Sequence, residues 1–415
     1  MEKKQKITLA VLAALGVVYF ILFLSPNNST MGSDNPLVYL HKDEYVTYPI
    51  VERMLLLEGD IHMLWGRWII YGDYHYGYPF YFLSALVLLP LRLLRGSAFF
   101  TDIPLNILIL RQVISGLPMI LAAGFLAWVQ THFKSVLKAS LVFVLILTIP
   151  AVVRANLHWW HPDALMLLAI ALTFYFLDQD DFRLGRHFYL AAAACGMVSA
   201  IKLIGVFFFL AIAVYLLVAW RRRRYPTRKV LAAAGIFILV MLLAVLFSNP
   251  FLFYKVPRDE MLAIQRFKTE ELRAGYSHEE SLYYSLGPKY WRWTLSVSYG
   301  KRWFIYLLMA SLGAACAFGD RRELNWLILA WCIPIGIYLL WFVSPKPDHY
   351  LLPLMLPLYS GAAGIANWME AKLKSPQRWV RLLMAAGLVL FAAALVHQFS
   401  FHFSQGAALF ARYFS

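Results

Sequence analysis

Charge is what this chain of 415 residues has least of. Only 15% of its residues are Asp, Glu, Lys or Arg against 61% hydrophobic, and the mean hydropathy is +0.62. A water-soluble protein of this size aggregates with that balance, so the composition excludes a soluble globular fold and implies an all-α polytopic membrane protein. Acidic residues are the scarcer sign: 23 Asp and Glu face 38 Lys and Arg, for a formal charge of +15. In a soluble chain that excess points to nucleic acid. Here the bases gather in short loops between apolar runs, as the positive-inside rule requires, and no nucleic-acid partner is expected. Cysteine is almost missing: Cys195, Cys316 and Cys332 sit in apolar runs without paired spacing or a metal motif, which excludes a disulfide framework. No internal repeat or low-complexity tract is visible.

What is abundant is apolar sequence. Runs long enough to cross a bilayer lie near 7–25, 104–130, 139–155, 164–178, 187–201, 203–220, 230–248, 302–318, 323–342, 349–367 and 381–400. They predict a bundle of about eleven transmembrane helices. The first run is too long for the core of a signal peptide and no small-x-small site follows, so it reads as an uncleaved helix with a cytoplasmic start. The run 78–94 is ambiguous. If it spans, Arg221, Arg222, Arg223 and Arg224 are thrown outside; if it does not, the basic groups at 132–138, 183–187, 221–228, 321–322 and 372–381 share the N-terminal side. Charge bias therefore makes 78–94 re-entrant or interfacial and the protein a multi-pass component of the plasma membrane. The chain reads as one membrane domain, 1–415, with a first outer loop at 26–103 and another at 249–301.

That parity collects the informative polar residues on one outer face. The pair Asp43 and Glu44 lies in the first outer loop, where ionisable groups held near lipid are candidates for function. Pro49 suits the first residue of a helix running to about Glu58, which leaves the acidic pair ahead of that helix. A solvated pair flanking an interfacial helix explains it equally well. The aromatic stretch from Trp65 to Phe82 reads mainly as headgroup anchoring. In Asn156-Leu-His-Trp-Trp-His-Pro-Asp163, Asp163 in a first helical turn suits the helix dipole, and His161 stands beside it without a fixed metal spacing. Lys202 interrupts an apolar stretch and marks an outer hairpin turn. It is either a snorkelling lysine or a cation for a lipid phosphate, and Arg111, near the outer end of its helix, poses the same choice more weakly. The turn Ser344-Pro-Lys-Pro-Asp-His-Tyr350 crowds Lys346, Asp348, His349 and Tyr350 together. An amphipathic charged run at 259–273 followed by Gly275-Tyr-Ser-His278 reads as an interfacial helix and loop, either a lid or inert.

In order along the chain, His-x-Asp-Glu at 41–44, Glu58-Gly-Asp60, Tyr-Pro-Phe-Tyr at 78–81, His161-Pro-Asp163, the hairpin lysine and Asp348-His-Tyr-Leu-Leu-Pro353 resemble the GT-C class of glycosyltransferases. The look is closest to family 39, the protein O-mannosyltransferases and lipid A aminoarabinose transferases. The resemblance implies inverting transfer of a sugar from a polyprenyl-phosphate donor to an acceptor outside the membrane. By that analogy Asp43 is the general base with Glu44 beside it, Lys202 and Arg111 hold the donor phosphate, and Asp163, His161, Lys346, Asp348, His349 and Tyr350 bind or orient substrate. Whether a divalent metal takes part is left open, with Glu44, Asp163 and His349 its candidate ligands. The chain departs from the pattern in lacking a large soluble C-terminal domain, so a glycan, a lipid and a protein all remain as acceptor. The alternatives are a lipid or glycolipid transporter or flippase, which the one-sided charges and missing repeat disfavour, and a polysaccharide polymerase or ligase, expected to keep its arginines in a large late loop.

Overall fold

Helices that bury their own backbone hydrogen bonds are the expected answer to a chain this apolar. The computed structural model describes residues 2–28, 40–274, 282–319 and 321–411, and among these it contains helices and turns but no strand. Gly275-Tyr-Ser-His278 falls outside the described residues. Seven helices are long and apolar enough to cross a membrane: Lys3–Asn28, Tyr78–Thr101, Ile103–Thr131, Leu203–Arg223, Thr227–Ser248, Arg322–Phe342 and Arg378–Ala411. Val136–Leu147 and Pro150–Asn156 add an eighth if counted as one span bent by 65°. Pro150 explains the bend, because its ring displaces the preceding carbonyl and it has no N–H to continue the ladder. Shorter helices fill the remaining runs: Asp163–Asp180, Arg186–Ile201, Arg302–Phe318 and, over the run 349–367, the pair Leu352–Ser360 and Ala363–Lys372.

Burial separates inner from outer helices. The apolar window of Ile103–Thr131 is 67% buried inside the protein, whereas those of Thr227–Ser248 and Arg378–Ala411 are 11% buried. The outer helices keep large apolar side chains for lipid, as Leu231, Phe247, Val389 and Phe403 illustrate.

Two ends of the bundle can be told apart by their polar contacts. At one end Gln5 and Thr8 of the first helix bond the carbonyls of His132 and Phe133, Arg222 and Arg223 pair with Asp181, and Arg321 pairs with Asp178. At the other end Asn27, Glu44, Asp163, Lys202, Asn249 and His349 come together, as described below. The run expected to be interfacial is long and apolar enough to cross, since the helix continues to Arg95 and a further turn carries it to Thr101. Yet its far end stays with the first-loop helix, where Arg92 Nε donates to the Leu55 carbonyl at 3.2 Å and Asn106, just beyond it, to the Tyr48 hydroxyl at 2.8 Å. Its start is fixed at the second end, where the Tyr78 N–H donates to Asn249 Oδ1 at 2.9 Å.

One expectation is corrected here. The helix of the first loop is Lys42–Met54, so Asp43 and Glu44 form its first turn and Pro49 lies inside it. His41 and Glu44 cap it reciprocally: the Asp43 N–H donates to the His41 ring at 3.3 Å and the His41 N–H to Glu44 Oε2 at 2.8 Å. That capping box satisfies the end of the helix seven residues before proline can begin it.

Candidate functional site

The second end is built around Asn156-Leu-His-Trp-Trp-His-Pro-Asp163, and Asn27 is what fixes it. The Asn27 side chain donates to the Asn156 carbonyl at 3.0 Å and accepts the His158 N–H at 2.7 Å. His158 takes a left-handed φ of 51°, which turns the chain back towards the acidic helix. The Trp160 N–H then reaches Glu44 Oε1 at 2.6 Å, and the His161 N–H reaches Ser115 Oγ at 3.2 Å. Ser115 belongs to a π-helical turn, Arg111–Gly116, inside an otherwise α-helical span. Such turns recur at functional sites because they re-aim side chains.

Arg111 opens that turn and points inward. Its Nε donates to Glu44 Oε1 at 2.8 Å and its Nη2 to Oε2 at 2.6 Å, and both side chains are wholly buried. A bidentate pair of this kind uses both members. Arg111, expected to hold donor phosphate, is therefore committed to Glu44, and Glu44, expected to act beside Asp43 or on a metal, is committed to Arg111, His41 and Trp160. The pair is the frame that sets the acidic helix against the histidine–tryptophan loop.

Asp43, one residue earlier on the same turn, faces the other way. Its carboxylate is 39% exposed, accepts the Trp159 indole N–H at 3.1 Å and lies 3.5 Å from the His41 ring. Trp159 joins the remaining residues. It stacks on His161 with centroids 4.1 Å apart and meets His349 edge-on at 4.8 Å; His349 in turn contacts Tyr350 at 4.7 Å. His161 Nδ1 lies 3.1 Å from Asp163, and its Nε2 is 2.9 Å from the Tyr76 hydroxyl. Asp163 forms an ion pair with Lys202. Burial pushes the His349 imidazole down to about 3 and also lowers His161, although Asp163 pulls the latter back up. Both rings are neutral at pH 7.

Lys202 ends the helix Arg186–Ile201 in extended conformation, as a hairpin lysine must. Gly77 packs against the same turn: a Cβ there would stand 1.6 Å from the Ala200 carbonyl oxygen, and its N–H donates to Ile201 at 3.1 Å. Only glycine permits this approach, which holds Tyr76 beside the Lys202 ammonium, 5.7 Å from the ring centroid.

The amphipathic run forms the helix Lys255–Ala274, which straps across the aromatic loop. Gln265 donates to the Tyr74 carbonyl at 3.2 Å and Lys268 to the His75 carbonyl at 2.5 Å. The Lys268 ammonium also lies 4.9 Å from the Tyr76 ring, so one tyrosine carries two lysines. Burial, with Lys202 nearby, pulls Lys268 down to about 8. No reading of the sequence singled out Lys268, Asn27, Ser115 or Trp159. The amphipathic spacing of 259–273 was the one hint that part of that run docks rather than floats.

Two residues of the late turn lie elsewhere. Lys346, expected to bind or orient substrate, is buried with its ammonium on the carbonyls of Ser285, Val343 and Ser344. It closes its own loop, because a lysine surrounded by main-chain oxygens has its donors filled. Asp348 pairs with Arg154, and its carbonyl accepts the Tyr299 hydroxyl at 2.6 Å, which positions the adjoining His349.

Among the described residues no set of side chains is arranged to hold a metal: no three His, Cys, Asp or Glu converge on a point. Of the three candidate ligands, Glu44 is held by Arg111 and Asp163 by Lys202.

No protein-family model matches the sequence, and no curated protein matches it. Solved structures do. The chain is similar over 97% of its length to the oligosaccharyltransferase of Archaeoglobus fulgidus, with a TM-score of 0.58 and 13% identity, and spans 56% of that protein's length. It is similar over 98% of its length to ArnT from Cupriavidus metallidurans bound to undecaprenyl phosphate, with a TM-score of 0.53 and 14% identity, covering 77% of that chain. The apo state of the same ArnT gives a TM-score of 0.55 at 13% identity, with 98% and 76% covered. At such identities the likeness is one of architecture, and the architecture of this chain is the GT-C-class membrane fold.

Proposed function

We propose that this chain is an inverting glycosyltransferase that takes a sugar from a polyprenyl-phosphate donor and passes it to an acceptor hydroxyl or amine at the outer face of the plasma membrane. The observation that carries the proposal is an inequality among carboxylates. Glu44, Asp163 and Asp348 are each bound by Arg or Lys, whereas Asp43 is half-exposed and meets an indole N–H and a histidine ring. It is the carboxylate of this group left to accept a proton.

In the reaction, Asp43 removes the acceptor's proton as the acceptor atom bonds to the sugar C1. The bond from C1 to the phosphate oxygen breaks on the opposite side, and its electron pair leaves with polyprenyl phosphate. That leaving group needs charge stabilisation rather than a proton. Lys202 and Lys268, on the one tyrosine, supply two ammonium groups for it. Neutral His161 and His349 with Trp159 shape the space between base and phosphate, and Tyr350 supports His349. Glu44 and Arg111 position the helix that carries Asp43. Similarity of fold to an ArnT solved with undecaprenyl phosphate supports a donor lipid of that kind.

The basic groups at 221–228 and 372–381 lie at the end opposite to Asp43, where Arg222 and Arg223 meet Asp181 and Glu370 meets Lys138, which supports a cytoplasmic N-terminus and an outer site. Reporter fusions after residues 60, 224 and 347 test the topology; a cytoplasmic signal at 347 overturns it. Activity is tested by incubating membranes carrying the protein with labelled polyprenyl-phosphate sugars and following donor consumption. Consumption of one donor that vanishes in Asp43→Asn is expected. Undiminished turnover of a proven donor by Asp43→Asn overturns the assignment.

A further inference from the structure

Away from Asp43, at the same end of the bundle, a groove of about 670 Å³ opens between the helix Trp291–Ser298, the start of Arg302–Phe318 and the last helix. Ser296, Val297, Lys301, Arg302, Trp303 and Phe401 line it. The last helix is among the least buried in the protein, so the groove faces the surrounding lipid. Its walls are apolar, and Trp303 packs edge-on against His397 at 5.5 Å to form one side. Its rim carries two cations. Lys301 extends over the Phe401 ring at 5.7 Å. Among the described residues neither Lys301 nor Arg302 is paired with a carboxylate, unlike Arg111, Arg154 and Lys202 at the same end.

We propose that this groove is a binding site for one anionic phospholipid of the bilayer, separate from the donor site. The headgroup phosphate sits between the Lys301 ammonium and the Arg302 guanidinium, beside the N–H groups that open the helix Arg302–Phe318. An acyl chain descends against Val297, Trp303 and Phe401. Charge complementarity selects the class. The lining holds two positive side chains and no carboxylate, so a lipid with a net negative headgroup is favoured over one that adds its own ammonium. Aromatic rings at this depth suit the boundary between headgroup and chain. The donor is a different occupant, because its phosphate must reach Lys202, and none of the groove's residues belongs to that cluster.

The test uses the purified full-length protein and native mass spectrometry, titrating phosphatidylglycerol and, separately, phosphatidylethanolamine. Phosphatidylglycerol is expected to occupy one site more tightly than phosphatidylethanolamine. Removing both cations in Lys301→Gln/Arg302→Gln should weaken it on the order of 10–30-fold, as expected when two basic residues at a membrane surface are lost. The control Arg228→Gln/Lys229→Gln removes equal charge at the far end and should leave that site unchanged. Val297→Trp fills the groove with both charges kept and should exclude the lipid as well. Equal retention by Lys301→Gln/Arg302→Gln and the parent, or an equal fall in the far-end control, overturns the proposal. Displacement of phosphatidylglycerol one for one by polyprenyl phosphate also overturns it, since the groove would then belong to the donor.

Discussion

The two ends of the bundle use the same residue types to opposite purposes. At the end bearing the arginine cluster, Asp180 accepts the N–H groups of Leu184 and Gly185 at 2.8 Å, that of Phe188 at 3.3 Å and the Tyr215 hydroxyl at 2.6 Å. Its neighbour Asp181 holds Arg222 and Arg223, and Asp178 holds Arg321. Each of these carboxylates is filled by groups that close a loop. At the other end Glu44 is filled just as completely, while Asp43 beside it meets an indole N–H and a histidine ring, and Lys268 across the cluster rests on a carbonyl and a tyrosine ring rather than on a carboxylate. Full satisfaction makes a joint, and a carboxylate left partly unsatisfied is a candidate for function.

The sharpest way to break that comparison is to neutralise one aspartate at each end. Asp43→Asn keeps shape and removes the base, so turnover should fall on the order of 10²–10⁴-fold with thermal stability unchanged. Asp180→Asn should do the reverse: roughly 1–3 kcal/mol of stability lost through unsatisfied buried N–H groups, and normal turnover per folded molecule. Melting curves and donor-consumption rates on the same preparations separate the two, and equal behaviour of the two variants would erase the distinction.

Next in size is the buried pair behind the site. Arg111→Met strands Glu44 without a counter-charge and should cost about 3–5 kcal/mol, whereas the double change Arg111→Met/Glu44→Met should recover much of that loss. A double-mutant cycle by denaturation measures it. If the pair only frames the site, the double variant refolds with its acidic helix displaced, and the donor-consumption rate stays low even where stability returns.

How much of this was legible in the sequence follows from the range of each interaction. Apolar runs, the hairpin at Lys202 and the acidic pair at 43–44 are local signals, and all can be read from a few neighbouring residues. The helix start at Lys42 is also local, set by the His41 and Glu44 capping box, whereas Pro49 suggests a later start. Pairings could not be read. Arg111 meets Glu44 across 67 positions and Lys268 meets His75 across 193, and nothing in one sequence says which distant partner a charge will find. The same gap hid Lys346 among carbonyls and made Arg111 resemble a phosphate ligand.

Lys202 gives a smaller effect than Asp43 because its charge is shared with Asp163. Lys202→Met keeps the stem's packing and deletes the ammonium; donor affinity should fall on the order of 10–100-fold, the range for one charged hydrogen bond. Lys202→Arg should rescue it in part, since a planar guanidinium fills the hairpin differently. Donor binding measured by titration decides it, and unchanged affinity in Lys202→Met would return this lysine to packing alone.

The smallest effect is expected at Lys268, and pH brings it out. An ordinary lysine keeps its proton to above pH 10, but burial and the nearby Lys202 pull this one down to about 8. Below that value Lys268 is charged and adds to phosphate binding; as pH rises through it, the proton and the contribution are lost together. Donor affinity should therefore decline several-fold between about pH 7 and 9, a window in which an unperturbed lysine changes little. Bound phosphate favours the charged form, so the decline should move to higher pH as donor concentration rises. Lys268→Met should show the weaker affinity at every pH with the alkaline decline removed. Lys268→Arg should keep the affinity and also lose the decline, because a guanidinium stays protonated throughout. Titrations of donor binding at several pH values check all three. An alkaline decline that persists in both variants would assign it to another group and leave Lys268 as a clasp that holds the strap helix to the His75 carbonyl.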